Sequence, residues 1–465
     1  MGVEVVSLVE QAIAPEFSIG DSNLPIALGA VFQVLAPFSP LLIVLILYSW
    51  IGRITLRVLS RYDVNSFLVN RFRFLSRISQ SLPVSWDSKE VPLLQRPILV
   101  LGIGIASACA LAYTPYRSDI NPLGTPVGVD TPLYIQWVNQ MLQRPVFDGL
   151  AYAFTEASSG SRPLSLIFPY VVSSLFGVRA DVAVKVYPLF LAPLLVVSSF
   201  LFVYLGLGDK RTASLVGLTT AFSFQFTVGM WAGYYANWLA LAESYVYLGI
   251  LIRFSKSESK TNFIGISCLS VGVLFTHPWT WDLMMLLSVV FMIERSFTSH
   301  DFRPMRLTTL LIAINVAADS IKSIALGGYG GGRAGIDVAT TNLGFSHLVM
   351  VWSEVEQAFV QNYSMLLADA VTLGLAVIAI WRFSVNRQGF TRLVVFWVAL
   401  ASLPFGFLES VLRSRIIYLL PVPVLASGAM IGMLQLGQGN AQKRLILLLI
   451  LLYEANYSLS SMFQL

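Results

Sequence analysis

The sequence predicts an all-α protein, a polytopic membrane helical bundle of about 12–13 spans with amphipathic helices in its first large outer loop. Apolar residues make up 56% of the chain and charged residues only 12%, about half the charged fraction of a soluble domain. The mean hydropathy is +0.72. Apolar runs of roughly 20 residues, the length that crosses a bilayer, recur along the whole sequence.

Twelve apolar segments are predicted as full spans, and together they form one transmembrane domain, 1–465. They are 28–51, 97–114, 184–206, 212–229, 235–252, 262–276, 280–293, 307–326, 364–381, 393–410, 413–435 and 445–463. Within this domain we distinguish an N-terminal hairpin (28–114, with loop 52–96), a large loop (115–163) and a helical bundle (164–463).

The charges of the loops predict the orientation of the chain. Loop 52–96 holds eight Arg and Lys residues against three acids, and cytoplasmic loops carry such an excess. The 115–163 loop is then extracytoplasmic, and we expect a multi-pass protein of the cell membrane whose active face is outside. An odd number of crossings must join this loop to the basic turn at 253, so the short apolar segment 164–178 is predicted as a partial or in-plane helix. The net charge of +5 needs no nucleic-acid partner, because cytoplasmic loops account for it.

The 115–163 loop concentrates ionisable side chains, and such clusters at a bilayer face are default site candidates. They are Arg117, Asp119, Asp130, Arg144, Asp148, Glu156 and Arg162. A carboxylate at this rim can act as a general base that takes the proton of an acceptor hydroxyl. We predict Asp130 or Asp119 as this base. Arginine binds phosphate oxygens and stays charged, so the predicted partners of a lipid phosphate are Arg162, Arg413 and Arg415.

Two further segments supply candidates on the same face. His277 lies in the hairpin tip 276–282, where we predict an acceptor-binding or phosphate-binding group, or a hydrogen-bonded structural histidine. The run 327–335 is rich in glycine but lacks the Gly-Lys-Ser/Thr ending of a phosphate loop. It is interpreted as a flexible outer loop or as a mobile lid whose Arg333 meets an anionic substrate.

Several short motifs are similar to the first outer loop of the GT-C superfamily of membrane glycosyltransferases. The match is closest to the branch of the protein O-mannosyltransferases and the aminoarabinose–lipid A transferase. The motifs are Asp130-Thr131-Pro132-Leu133-Tyr134, Met141-Leu142, Ser161-Arg162-Pro163-Leu164 and Leu175-Phe176-Gly177, with Gly208-Asp209-Lys210-Arg211 and Arg415-Ile416-Ile417-Tyr418-Leu419-Leu420-Pro421 further on. The resemblance covers about 160–435 and the loop before it.

The resemblance implies an inverting glycosyltransferase that uses a polyprenyl-phosphate sugar on the extracytoplasmic side. The acceptor is a hydroxyl of a protein, lipid or glycan. Asp130 corresponds to the catalytic acid, Tyr134 to the aromatic that follows it, Arg162 to the basic residue of the Pro-Leu motif and Arg415 to a residue near the lipid phosphate. Tyr134 is also predicted to bind the substrate or its lipid phosphate. Thr131 stands where the family has a second acid. The sequence holds no Asp-x-Asp, so no cofactor is expected and a divalent metal is the less favoured alternative.

Two other functional classes fit part of the sequence. Asn315, Asp319 and Lys322 share one face of the predicted span 307–326, either as a buried Asp319–Lys322 pair or as a polar path through the membrane. The second interpretation describes a transporter or a lipid-carrier flippase. A non-catalytic scaffold of GT-C shape is the third class, and the threonine at position 131 favours it.

Overall fold

The computed structural model describes the chain in segments, and the regular elements of these segments are all helical. The described residues are 86, 92–257, 259–299, 303–332, 370–383, 388–402, 418–436 and 439–463. The α-helices are α1 (Pro97–Tyr113), α2 (Thr131–Leu142), α3 (Val146–Thr155), α4 (Pro163–Phe176), α5 (Ala180–Leu207), α6 (Lys210–Ala221), α7 (Phe224–Ala232), α8 (Tyr235–Lys256), α9 (Lys260–Thr276), α10 (Pro278–Ser299), α11 (Arg303–Ser320), α12 (Ala370–Phe383), α13 (Gly389–Ser402), α14 (Val422–Leu436) and α15 (Asn440–Phe463). The predicted all-α class is confirmed.

Five helical stretches in the described residues are long and apolar enough to cross a membrane. They are Pro97–Tyr116, Ala180–Leu207, Lys210–Ala232, Met305–Ile324 and Ala441–Phe463. Each reaches the length of roughly 18–20 residues that a bilayer core requires. The chain is therefore a multi-pass membrane protein, as its composition predicts. The predicted span 28–51 and almost all of loop 52–96 lie outside the described residues.

Helix α4 corresponds to the segment predicted as a partial or in-plane helix. It has 14 residues, which is about 21 Å and too short to span a bilayer. It packs against α2 and α3 as well as against α5, α8 and α9, so it belongs to the end of the bundle where α2 and α3 are found. We call this the site end. With α4 excluded, three helical stretches join the large loop to the turn at 253, namely α5, the α6–α7 pair and α8, and the first two of these are among the five candidate spans.

The predicted span 212–229 is a broken helix in the structure. Helix α6 ends at Ala221 and α7 begins at Phe224, so the backbone groups between them lose their helical partners. The hydroxyl of Ser458 on α15 donates to the carbonyl oxygen of Phe222 at 2.7 Å. This bond compensates the break and holds α15 against the α6–α7 junction.

The core is formed by α5, which packs against α1, α6 and α8. At the end of the bundle opposite the site end, Lys256 of α8 donates to the carbonyl oxygen of Gly206 on α5 at 2.8 Å. Arg392 of α13 forms an ion pair with Glu294 of α10. The basic turn at 253 begins at this end of the bundle, and its cytoplasmic location stays a prediction.

Candidate active site

The chain entering α2 is fixed to the turn between α7 and α8. The N–H of Val129 donates to the carbonyl oxygen of Trp231 at 3.1 Å, and the N–H of Asp130 donates to that of Ala232 at 3.0 Å. Gly128 has φ +101°, a left-handed conformation that glycine adopts without strain. These contacts set the position of Asp130 relative to the membrane helices.

The Asp130 side chain does not cap α2, although it stands at the N-cap position. Its φ and ψ are −82° and −9°, and its carboxylate accepts no capping hydrogen bond. An N-cap residue would have extended backbone angles and bond the first-turn N–H groups. The carboxylate instead interacts electrostatically with the Arg162 guanidinium. The acid predicted as base and one predicted phosphate partner therefore lie within electrostatic range of each other, although they form no direct ion pair with each other.

A strained turn places Arg162 in front of α4. Ser158 and Ser159 have φ of 50° and 55°, values that non-glycine residues seldom adopt and that often mark functional sites. Gly160 follows with φ +65°, and a Cβ there would stand 2.1 Å from the carbonyl oxygen of Phe154. The turn thus brings the chain back so that Arg162 reaches the N-terminal end of α2.

The Arg162 guanidinium is held by aromatic groups of α2. It lies 5.8 Å from the ring centroid of Trp137, within cation–π range, and it hydrogen-bonds the hydroxyl of Tyr134. Burial lowers the pKa of the guanidinium, but its interactions with Tyr134 and Asp130 outweigh burial, so the pKa is raised above its ordinary value. Arg162 is therefore a permanent cation beside the carboxylate.

Tyr134 itself is fully buried. Its hydroxyl accepts a hydrogen bond from the N–H of Ala236 at 3.0 Å. Its ring packs edge-on against Tyr235, with centroids 5.0 Å apart, and Tyr235 packs against Tyr187 at 5.5 Å. In this arrangement Tyr134 holds Arg162 and joins α2 to α8. A direct contact of Tyr134 with substrate stays a prediction.

His277 connects α9 to α10. Its Nδ1 accepts the N–H of Thr280 at 3.3 Å and lies 2.8 Å from the Thr280 hydroxyl. The ring is 2% exposed. This geometry caps the first turn of α10, which agrees with the structural interpretation of His277. Its predicted role in binding acceptor or phosphate stays a prediction.

Asp319 and Lys322 hold the start of the glycine-rich segment. The Asp319 carboxylate accepts the N–H groups of Gly331 and Gly332 at 2.6 and 2.8 Å. Lys322, fully buried, donates to the carbonyl oxygens of Leu274 and Ser161 at 2.6 and 3.1 Å. The two side chains interact electrostatically, but other groups hold each of them. These contacts are structural, and they bring the hairpin tip and the glycine-rich segment next to the turn that carries Arg162.

The other predicted site residues lie apart from this cluster or outside the described residues. Asp119 forms an ion pair with Arg117 at 2.7 Å, and both side chains are exposed. Arg333, Arg413 and Arg415 lie outside the described residues. Among the described residues, no group of three or more His, Cys, Asp or Glu side chains could hold a metal ion.

Two polar residues near Tyr134, Glu243 and Tyr187, were not predicted from the sequence. Glu243 is in the third turn of α8, and its Oε1 accepts a hydrogen bond from the hydroxyl of Thr276 at 3.1 Å. Tyr187 of α5 is fully buried and interacts electrostatically with Tyr134 and Glu243. A signal was present, because an acid inside an apolar span is a site candidate by itself.

Comparison with solved structures identifies the class of fold. The chain is similar to the crystal structure of the Archaeoglobus fulgidus oligosaccharyltransferase in its apo form, with a TM-score of 0.52 and 11% sequence identity. The match covers 78% of this chain and 56% of that chain, so this protein corresponds to about half of the archaeal one. No protein-family model matches the sequence, and neither does any curated protein. The likeness concerns the fold alone, and it agrees with the GT-C-like helical bundle that the sequence predicts.

Proposed function

We propose that this protein is a membrane glycosyltransferase that moves a sugar from a polyprenyl-phosphate donor to a hydroxyl-bearing acceptor at the extracytoplasmic face of the cell membrane. The observation that carries this proposal is the Asp130 carboxylate, which does not cap α2 and lies within electrostatic range of the Arg162 guanidinium, in a GT-C-like fold. The loop motifs support the branch of the protein O-mannosyltransferases and the aminoarabinose–lipid A transferase. No cofactor is proposed.

The proposed reaction uses the two side chains in different steps. Asp130 takes the proton of the acceptor hydroxyl while the hydroxyl oxygen attacks the anomeric carbon of the sugar. The bond between that carbon and the phosphate oxygen breaks, and the polyprenyl phosphate leaves with the electron pair. Arg162 stabilises the negative charge that develops on the phosphate, together with Arg413 and Arg415 in their predicted role. Attack from the face opposite the leaving group inverts the anomeric centre.

The test is transfer by the purified protein from a panel of labelled polyprenyl-phosphate sugars. Asp130→Asn keeps the shape of the side chain but cannot accept the proton, so we expect a folded protein with transfer reduced by about 100-fold or more. Asp148→Asn is the matched control, because Asp148 is an exposed acid in the first turn of α3, and it should transfer normally. Asp119→Asn tests the other predicted base, Asp119, in the same transfer assay.

Three results would contradict the proposal or part of it. Undiminished transfer by Asp130→Asn excludes this residue as base, and loss of transfer in Asp119→Asn alone assigns the role to Asp119. No transfer by the wild-type protein from any donor favours the non-catalytic scaffold. Movement of a solute or lipid across sealed vesicles without a covalent product favours the transporter or flippase.

A further inference from the structure

Two buried polar groups on neighbouring helices have no hydrogen-bond partner in the described part of the chain. One is Oε2 of Glu243, and the other is the hydroxyl of Tyr187. The first lies about 12 Å along α8 from its beginning at Tyr235. Buried polar groups are almost always satisfied in native proteins, and each exception requires an explanation.

The two groups lie within electrostatic range of each other, and Tyr187 lies within electrostatic range of Tyr134 in the candidate active site. The Tyr187 hydroxyl interacts electrostatically with Tyr134 and with Glu243, and α5 packs along α8. Tyr134 in turn binds Arg162. A single row of polar groups therefore runs from the guanidinium that would hold the phosphate down to the Glu243 carboxylate.

Space is available beside this carboxylate. Gly272 of α9 faces Glu243, and a Cβ at position 272 would meet, among described residues, only the carboxylate, at 3.8 and 4.0 Å. The Glu243 side chain is half-buried as a whole, although its Oε2 atom is buried. A small ligand can thus approach the Glu243 carboxylate without displacing backbone.

The chemistry of the two groups selects the ligand. A carboxylate oxygen accepts hydrogen bonds, and a tyrosine hydroxyl both donates and accepts. A ligand with adjacent hydroxyl groups satisfies both, whereas a prenyl chain satisfies neither. A phosphate brings acceptors and negative charge, which suit Arg162 better than Glu243.

We propose that Glu243 and Tyr187 form the subsite that binds hydroxyl groups of the transferred sugar, below the phosphate position at Arg162. This proposal rests on the proposed function and adds to it the residues that recognise the sugar ring. Buried groups that stay unsatisfied without ligand lower stability, and their retention at a binding site is the usual trade-off between stability and function.

The main test is Tyr187→Phe, measured for thermal stability without ligand and for the KM of the polyprenyl-phosphate donor. Because the hydroxyl has no partner in the free protein, its removal should leave Tm unchanged or raise it. The donor KM should rise by roughly five- to tenfold, the effect of one lost hydrogen bond. Glu243→Gln provides a second variant of the same shape and should also raise the donor KM.

Tyr247→Phe, on the helix that carries Glu243, is the matched control. The Tyr247 hydroxyl lies 2.6 Å from that of Ser288, so its loss should lower Tm and leave the donor KM unchanged. A series of donors with single hydroxyls removed from the sugar adds a direct readout. One of these deoxygenated donors should bind the wild-type protein more weakly than the parent donor does. The same two donors should bind Tyr187→Phe with equal affinity, because the hydroxyl that would contact them is absent from this variant.

Thermal stabilisation of the protein by free mannose and glucose distinguishes failure of the sugar subsite from failure of the proposed function. If the wild-type protein transfers no sugar, yet these sugars raise its Tm and do not raise that of Tyr187→Phe, the proposed function fails and the subsite stands. If Tyr187→Phe lowers Tm as the control does, or leaves both donor KM and sugar stabilisation unchanged, the subsite is overturned whether or not transfer occurs.

Discussion

Lys322→Met should destabilise the site end of the bundle, because this amine satisfies two carbonyl oxygens that lack other partners. The carbonyl oxygen of Leu274 would bond the N–H four residues on, but that residue is Pro278, which has none. Lys322 donates to this oxygen at 2.6 Å and to that of Ser161 at 3.1 Å. Its charge also lies at the C-terminal end of α9, where the helix dipole favours a cation. The ammonium is 5.2 Å from the Phe275 ring.

The magnitude follows from these contacts. Each hydrogen bond from a charged donor contributes about 1.5–3 kcal/mol. Methionine has a similar length, so little cavity is created, and removal of the buried ammonium also removes its desolvation cost. We expect a net loss of about 2–4 kcal/mol, measurable as a lower Tm of the purified protein in detergent.

Lys185→Met is the control for the Lys322 prediction. Lys185 donates to the carbonyl oxygen of Gly124, but its side chain is 23% exposed and water can replace it. A loss of about 0–1 kcal/mol is expected there. Equal Tm values for Lys322→Met and wild type would refute the reasoning, since they would mean that the carbonyl oxygens of Leu274 and Ser161 do not depend on the amine.

The remaining predictions concern groups around the candidate site. Asp319→Asn replaces one of the two carboxylate oxygens that accept the N–H groups of Gly331 and Gly332. Limited proteolysis of the glycine-rich segment should therefore be faster in this variant than in wild type. Thr131→Val removes a hydroxyl that bonds Val127 and Tyr235, and a Tm reduction corresponding to about 1–3 kcal/mol is expected. Gly128→Ala should reduce the yield of folded protein, because φ is +101° and the new Cβ would stand 2.7 Å from the carbonyl oxygen of Met230. An unchanged yield for this variant would show that the turn can relax.

Much of the fold was predictable because helices in a bilayer leave a simple pattern. An apolar run of the right length reports one crossing, whatever its neighbours are. The run 164–178 was correctly separated from the full spans because it is too short. The break between α6 and α7 was not predicted, since its compensation comes from Ser458, more than two hundred residues away in the sequence.

The candidate site was predictable only in part, for a related reason. The sequence shows which polar residues the loop contains, and Asp130 and Arg162 were selected from the same loop. It does not show which of them meet, because the turn at Ser158 and Ser159 depends on backbone angles that serine seldom adopts. Glu243 was not predicted, because a single acid in an apolar helix is a weaker signal than several charges in one loop.

The threonine at position 131, which the scaffold interpretation depends on, has an explanation in packing. Its side chain is fully buried, and it lies between two backbone segments. Cβ atoms added at Gly128 and Gly233 would stand 2.7 and 3.0 Å from its hydroxyl oxygen, so there is no room for a longer acidic side chain. A carboxylate here would also be buried against Tyr235 without a cation among its bonded partners. Position 131 is therefore a packing position in this chain, and a threonine there does not by itself argue against a role of Asp130 and Arg162.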